Sequence, residues 1–407
     1  MKEFGEKAFV SGNEAVALGV RLAKPHVIAA YPITPQTTVV ERLAEMVEDG
    51  SLAAEYMHVE SEHSALSAVM GASAVGARTF TATSSQGLLY MAECLHYASG
   101  GRFPIVMMNA NRSLALPWNI YGDQRDSLSL LDCGWIQFYV EDAQEALDMM
   151  LQAYAVAEHP EVLTPVMVNL DGFVLTHTYE LVDVPPQAEV DEFLPSFQTT
   201  NKMDLAKPVN MGFTATPADY MEFKYQQHQG ILHAAQVISE TDRAFAQRFG
   251  RSYNGMVDTY RCEDAETVLV TLGSVCGTVR VVVDQLRESG HRVGLLKLRC
   301  LRPFPAAELR TLLANAKAVG VLEKNISLGY EGTVFTNVAS ALARDAHAPL
   351  LLNFVAGLGG RDISKQDISQ MFTQLADARQ NPPQQRTIFV NLQVETNEQH
   401  LEQVHHG

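Results

Sequence analysis

The sequence predicts an α/β protein made of two parallel-sheet α/β domains in tandem. Two observations carry this reading. Short apolar runs alternate with amphipathic stretches from residue 8 to about residue 180, and the same alternation resumes at Thr267. Strands separated by helices pair in parallel, with helices on both faces of the sheet. The interval between has another character. Pro185, Pro186 and Pro195 stand among acidic residues in Asp183–Pro195, which reads as a linker or surface excursion, and Asn201–Thr216 is irregular. The expected division is 1–250, with a helical and irregular excursion at 183–250, then 251–380, then a C-terminal tail at 381–407.

The first strand is Val27–Tyr31. It empties into Y-P-I-T-P-Q-T-T-V-V-E (Tyr31–Glu41), where Thr34 is placed to cap a helix and Pro35 to take its first position. Val39, Val40, Leu43 and Val47 give that helix an apolar face. Such a junction aims backbone N–H groups at one spot that suits a carboxylate, although an ordinary βα turn has the same pattern. Strands follow at Thr79–Thr83, Pro104–Asn109, Ile136–Val140 and Pro165–Leu170. Between them, Ser64–Ala77 is rich in small residues, as in a helix pressed against a neighbour. Glu141–Glu158 carries Leu147, Met150, Leu151 and Tyr154 at helical spacing, and Ala218–Phe249 is a long helix. The second alternation predicts strands at Thr267–Leu272, Val293–Leu298, Ala318–Leu322 and Leu350–Val355. Its helices are Val275–Glu288, Ala306–Asn315 and Thr333–Arg344, and a last strand, Thr387–Leu392, follows the polar A-R-Q-N-P-P-Q-Q-R.

Composition excludes several classes. Hydrophobic residues make up 47% and charged residues 19%, the profile of a packed rather than a disordered chain. The net charge of −17 and the lack of a Lys/Arg cluster argue against nucleic-acid binding. M-K-E-F-G-E-K lacks the apolar core of a signal peptide, and no apolar run approaches the roughly 18 residues of a membrane span. Five dispersed cysteines without a C-x-x-C point to a reducing, cytoplasmic setting and fit no iron–sulfur cluster. His58 and His63 lack zinc-site spacing, so no metal site is expected. Gly357–Gly360 is not a dinucleotide fingerprint and reads as a tight turn at a subunit contact.

Further blocks appear in order: V-E-S-E-H-S-A (Val59–Ala65), T-A-T-S-S-Q-G-L (Thr81–Leu88), N-R-S-L-A-L-P-W-N-I-Y-G-D-Q-R-D (Asn111–Asp126), T-L-G-S (Thr271–Ser274), L-R-P-F-P (Leu301–Pro305) and G-L-G-G-R-D (Gly357–Asp362). Together with Tyr31–Glu41 they resemble the α subunit of the 2-oxoacid:ferredoxin (acceptor) oxidoreductases, the pyruvate:ferredoxin oxidoreductase-like family, over nearly the whole chain. The resemblance implies a pyrimidine-type thiamine-diphosphate-binding domain followed by a transketolase C-terminal-like domain.

It also implies roles. Thiamine catalysis needs a dry carboxylate against the far ring nitrogen of the aminopyrimidine, acting as general acid/base. Alignment places that role on Glu62, with Glu60 as its rival on the same face of an extended segment. Thr34 matches the family's substrate-contacting threonine and Arg112 its substrate-binding arginine, whose fork grips a carboxylate in a way lysine cannot. Ser84, Ser85, Gln86 and Gly87 line the cofactor cleft, Gly87 permitting close backbone approach; a plain helix cap at Ser85 is the rival reading. Trp118, Tyr121, Asp123 and Arg125 belong to a loop facing the substrate side chain, or packing under itself. Relatives carry histidine where this chain has Gln124, which puts proton handling there in doubt, and Arg125 either adds charge to the cleft or pairs with Asp126.

No G-D-G motif for diphosphate and Mg²⁺ is present, so the chain supplies half of a shared thiamine diphosphate site. A partner β subunit bearing G-D-G, a γ subunit and a ferredoxin-like subunit with [4Fe–4S] clusters are implied. The implied reaction is oxidative decarboxylation of a 2-oxoacid, pyruvate by default, with CoA as co-substrate, giving acyl-CoA and CO₂. An aryl 2-oxoacid such as phenylglyoxylate, or a branched-chain one, is the alternative. A non-redox transketolase-like half-enzyme and a non-catalytic subunit are the competing classes.

Overall fold

The structure, a computed structural model, describes residues 5–343 and 348–393. The predicted helix end at Arg344 and the tail beyond Gln393 lie outside the described residues. In chain order the strands are β1 (Glu6–Ser11), β2 (Val27–Ala30), β3 (Glu55–His58), β4 (Thr79–Thr83), β5 (Val106–Asn111), β6 (Ile136–Tyr139), β7 (Val166–Asp171) and β8 (Tyr179–Val184). Then come β9 (Val257–Tyr260), β10 (Thr267–Thr271), β11 (Val293–Leu298), β12 (Cys300–Arg302), β13 (Ala318–Glu323), β14 (Leu350–Val355) and β15 (Thr387–Phe389).

The first sheet runs β12-β6-β7-β5-β4-β2-β3, parallel except for β12 against β6. Strands β4, β5 and β7 are buried along their whole length, as in a sheet covered on both faces. Alternate residues serve opposite faces. Ala30, Ala82, Val106, Met108 and Val168 join a core with the helices Gly12–Ala23, Thr37–Glu48 and Ala143–Ala157. Ala29, Met107 and Met167 join another with Glu62–Ala74 and Ala92–Gly100.

The second sheet runs β15-β14-β13-β10-β11-β9, parallel except for β9. The strand read as part of a tail thus belongs to this sheet, with Thr387–Phe389 paired to Asn353–Val355. Asp183–Pro195 is not a linker. Its start completes β8, which pairs antiparallel with β1, and Gln187–Phe193 is a helix. The period-two alternation of Y-E-L-V-D-V carries that ribbon, obscured by the prolines after it. Among the described residues no helix is long and apolar enough to cross a membrane.

Two features join the sheets. β12 leaves the second half of the chain to pair with β6, Cys300 opposite Phe138. Beside it, buried Glu145 takes Lys297 Nζ at 2.6 Å on one oxygen and Arg299 Nε at 2.6 Å on the other. Burial alone would raise the Glu145 carboxyl; the two cations outweigh it and hold it down at about 2.

Candidate functional site

In the first sheet the chain steps from β2 outward to β3, then crosses back to β4 on the other side of β2. The carboxyl ends of β2 and β4 therefore flank a switch point, where ligand crevices form in open α/β sheets. The predicted site residues lie on the turns leaving β2, β3, β4 and β5.

Ser61 caps the helix after β3, its side chain accepting the Ser64 N–H at 3.2 Å. The helix thus begins at Glu62, two residues earlier than expected. This separates the two carboxylates placed on one face of an extended segment. Glu60 is exposed and takes the Ser64 hydroxyl at 2.7 Å, whereas Glu62 is 8% exposed on the first helical turn. No described residue hydrogen-bonds the Glu62 carboxylate. A Cβ on Gly87 would stand 2.6 Å from Glu62 Oε1 and 2.6 Å from Thr83 Oγ1, so the absent side chain makes the space the carboxylate occupies. Thr83 Oγ1 is itself buried without a partner. Buried polar groups left unmatched by the protein are rare and need an explanation. Thr83 was not among the expected site residues, although it stands inside T-A-T-S-S-Q-G-L.

Ser84 donates its hydroxyl to Ala110 O at 2.7 Å and so braces the turn after β4 against β5 rather than lining open space. Ser85 is no side-chain cap. Its φ is +51°, and its hydroxyl lies 2.7 Å from Ser113 O and 2.6 Å from Gln86 Oε1. Asp126, wholly buried, gathers the N–H groups around it. Its Oδ2 accepts from the amides of Ser85 and Arg112, both at 3.1 Å, and from Asn109 Nδ2 at 3.3 Å. Its Oδ1 accepts from Asn111 Nδ2 at 2.8 Å and the Ser127 amide at 2.7 Å. Burial raises this carboxyl to about 6 against the pull of those donors. Asp126 therefore forms no pair with the Arg125 side chain.

Thr34 does not cap the next helix, which starts at Thr37 behind Gln36 without a side-chain cap. The buried Gln36 amide instead donates to Tyr31 O at 3.1 Å and Ala82 O at 2.8 Å, tying the turn to β4. Thr34 is brought to Arg112: Nη1 donates to Thr34 O at 3.0 Å, and Nε donates to Asn119 O at 3.2 Å. Arg112 is buried, and with five N–H donors its guanidinium has more than these two bonds to offer a carboxylate.

The loop after Arg112 divides. Leu116 and Trp118 are 79% and 71% exposed, and Tyr121 is exposed with its ring 5.1 Å from Phe173. They do not pack beneath the loop. Asp123 and Gln124 are buried and turned toward the second sheet, not toward the crevice. Asp123 takes the Gly359 amide at 3.3 Å, and Asn119 donates to Gly359 O at 3.0 Å. The Gly357–Gly360 turn therefore meets a loop of its own chain. Gln124 donates from Nε2 to Asp171 Oδ1 at 3.0 Å and from its amide to Lys324 O at 2.9 Å. Asp171 Oδ2 also takes Lys324 Nζ at 3.0 Å and the Ser274 amide at 2.8 Å. Burial works against the Asp171 charge, but Lys324 and Ser274 prevail and hold the carboxyl low. At the position where a histidine was expected, glutamine serves this link between halves.

The turns leaving β3 and β5 therefore carry a mostly buried glutamate whose carboxylate has no protein partner among the described residues, and an arginine held by two backbone carbonyls. An acid/base carboxylate against a ring nitrogen fits the first, and a substrate carboxylate fits the second. The family described as "Pyruvate flavodoxin/ferredoxin oxidoreductase, thiamine diP-bdg" matches residues 18–243, and "Pyruvate:ferredoxin oxidoreductase core domain II" matches residues 265–368. The chain is 49% identical to pyruvate synthase subunit PorA of Methanothermobacter thermautotrophicus over 95% of this chain and 98% of that one. It is 47% identical to ketoisovalerate oxidoreductase subunit VorA of Pyrococcus horikoshii, over 89% and 92%. A 2-oxoglutarate:ferredoxin oxidoreductase from Magnetococcus marinus shares the fold at a TM-score of 0.71 and 20% identity, over 91% of this chain and 65% of that one. A split-gene transketolase superposes with a TM-score of 0.53 at 12% identity, over 91% of this chain and 100% of that one. The chain belongs to the pyruvate:ferredoxin oxidoreductase family.

Proposed function

We propose that this chain is the α subunit of a thiamine-diphosphate-dependent 2-oxoacid:acceptor oxidoreductase, and that its substrate is pyruvate. The balanced reaction converts a 2-oxoacid, CoA and two oxidised one-electron acceptors to acyl-CoA, CO₂, a proton and two reduced acceptors. The observation that carries the reading is the Glu62 carboxylate, unpartnered among the described residues, in the space left by Gly87, at the same carboxyl end of the first sheet as Arg112. When bound, thiamine diphosphate supplies the carbon nucleophile and the electron sink for decarboxylation. Glu62 would be the residue to exchange a proton with the far ring nitrogen of its aminopyrimidine, and Thr83 Oγ1 and Gln86 would offer neighbouring polar contacts. Arg112 binds the substrate carboxylate through its remaining guanidinium donors, oriented by Thr34 O and Asn119 O. Trp118 and Tyr121 meet the substrate side chain or the chain that completes the crevice.

Diphosphate, Mg²⁺ and the [4Fe–4S] clusters belong in this reading to partner chains: a G-D-G-bearing β subunit, a γ subunit and a ferredoxin-like subunit. The free state of all five cysteines agrees with a cytoplasmic complex. A branched-chain 2-oxoacid is the second reading, supported by the 47% identity to subunits named for ketoisovalerate. The assembled complex, assayed for viologen reduction with CoA and a panel of 2-oxoacids, tests both. Highest kcat/KM with pyruvate is expected. A preference for 3-methyl-2-oxobutanoate selects the second reading, and no CoA-dependent reduction with any 2-oxoacid removes both.

A further inference from the structure

We propose that Asp126 is the positioning residue that sets Arg112 for substrate, by pinning the Arg112 amide and the Ser85 turn to a single carboxylate oxygen. The inference rests on the reading of Arg112 as the carboxylate-binding group.

Three observations support it. Asp126 is wholly buried, and it forms no ion pair among the described residues; N–H donors alone surround it. A buried charge held without a cation is costly, and only an anion presents two acceptor oxygens to donors on both sides. A neutral amide would turn an NH₂ group against one of the two sets. Second, Ser85 sits in the left-handed region at φ +51°, a conformation that L-residues disfavour, and its N–H is aimed at Asp126 Oδ2. Third, that same oxygen accepts the Arg112 amide. The turn leading to Gly87, and hence to the wall beside Glu62, is therefore held at a fixed distance from the backbone that carries the guanidinium.

The test uses the chain assembled with its partner subunits. Asp126→Asn is expected to raise KM for the 2-oxoacid at least roughly tenfold, with a smaller change in kcat, because the lesion displaces a binding group. Combined with Arg112→Lys, it should lower kcat/KM no more than about threefold below the worse single variant, since both changes act through one guanidinium. Asn109→Ala removes the longest of the five contacts, together with the bond from Asn109 Nδ2 to Asn169 Oδ1 at 3.0 Å, and should raise KM roughly threefold even if Asp126→Asn does not assemble. KM within twofold of the unaltered complex for Asp126→Asn, while Arg112→Lys is impaired, overturns the positioning role alone. So do fully multiplicative losses in the double variant, or failure of both Asp126→Asn and Asn109→Ala to assemble. If Arg112→Lys itself leaves KM unchanged, the reading of Arg112 fails and takes this inference with it.

Discussion

Gly87→Ala adds one methyl group where Glu62 lies. The new Cβ would stand 2.6 Å from Glu62 Oε1, 2.6 Å from Thr83 Oγ1 and 2.9 Å from Glu62 Cγ. Ordinary contact begins near 3.4 Å, so the carboxylate must retreat by roughly 0.8 Å or rotate away. Gly87 lies in the helix Ser85–Tyr90 and has no positive φ, so alanine itself suits the backbone and gains about 0.5–1 kcal/mol of helix preference. Overpacking costs about 1–3 kcal/mol, so net stability falls by no more than about 2.5 kcal/mol. Function should change far more, since a displacement near 1 Å in a positioned group costs about 10²-fold. The assay is deuterium exchange at the thiamine C2 position in the assembled complex, read by NMR after acid quench, with the thermal midpoint measured in parallel. Slow exchange with a nearly unchanged midpoint is expected. Exchange within twofold of the unaltered complex would show that the Glu62 carboxylate is not the group on which the chemistry depends.

Glu62→Gln should slow the same exchange by at least about 10², while Glu60→Gln, changing an exposed side chain, should leave it nearly untouched; the reverse order reassigns the acid/base role. Arg112→Lys should cost about 1.5–3 kcal/mol in kcat/KM for every 2-oxoacid alike, whereas Trp118→Ala should alter the ranking among them; a changed ranking from Arg112→Lys exchanges these roles. Because Glu145 is held at about 2, below its ordinary 4.5, its contribution is complete above pH 4.5 and lost as pH falls through 2. That contribution is about 3 kcal/mol, so Glu145→Gln should flatten the acid limb of stability against pH, and parallel limbs in urea titrations would refute it.

The strands of both sheets were legible because doubly covered strands open on apolar runs, as Val106–Met108 of β5 and Val166–Val168 of β7 do. The strands that escaped notice are short or exposed: β3 shows little apolar surface to read, and β12 has three residues, too few for any period. Glu62, Thr34 and Arg112 were singled out through shared motifs, and Arg112 meets the Thr34 carbonyl in the structure. Thr34 failed as a cap because local pattern cannot foresee Gln36 reaching across 46 residues to Ala82. Gln124 and Asp123 looked like loop residues for the same reason, since their partners Asp171, Lys324 and Gly359 lie far along the chain. In D-Q-R-D the adjacency of Arg125 and Asp126 suggested a pair, and hid a carboxylate that serves backbone amides instead.

The strand exchanged between the two halves has a consequence for how the chain comes apart. A fragment ending near residue 250 would keep β6 but lose Cys300–Arg302, leaving a row of bare N–H and C=O groups along the side of β6. Glu145 would lose both counter-ions in the same cut. An exposed margin of that kind is a template on which another chain can add a strand. The first half is thus protected from self-association by the second, and the emerging polypeptide carries that liability until residue 302 has left the ribosome.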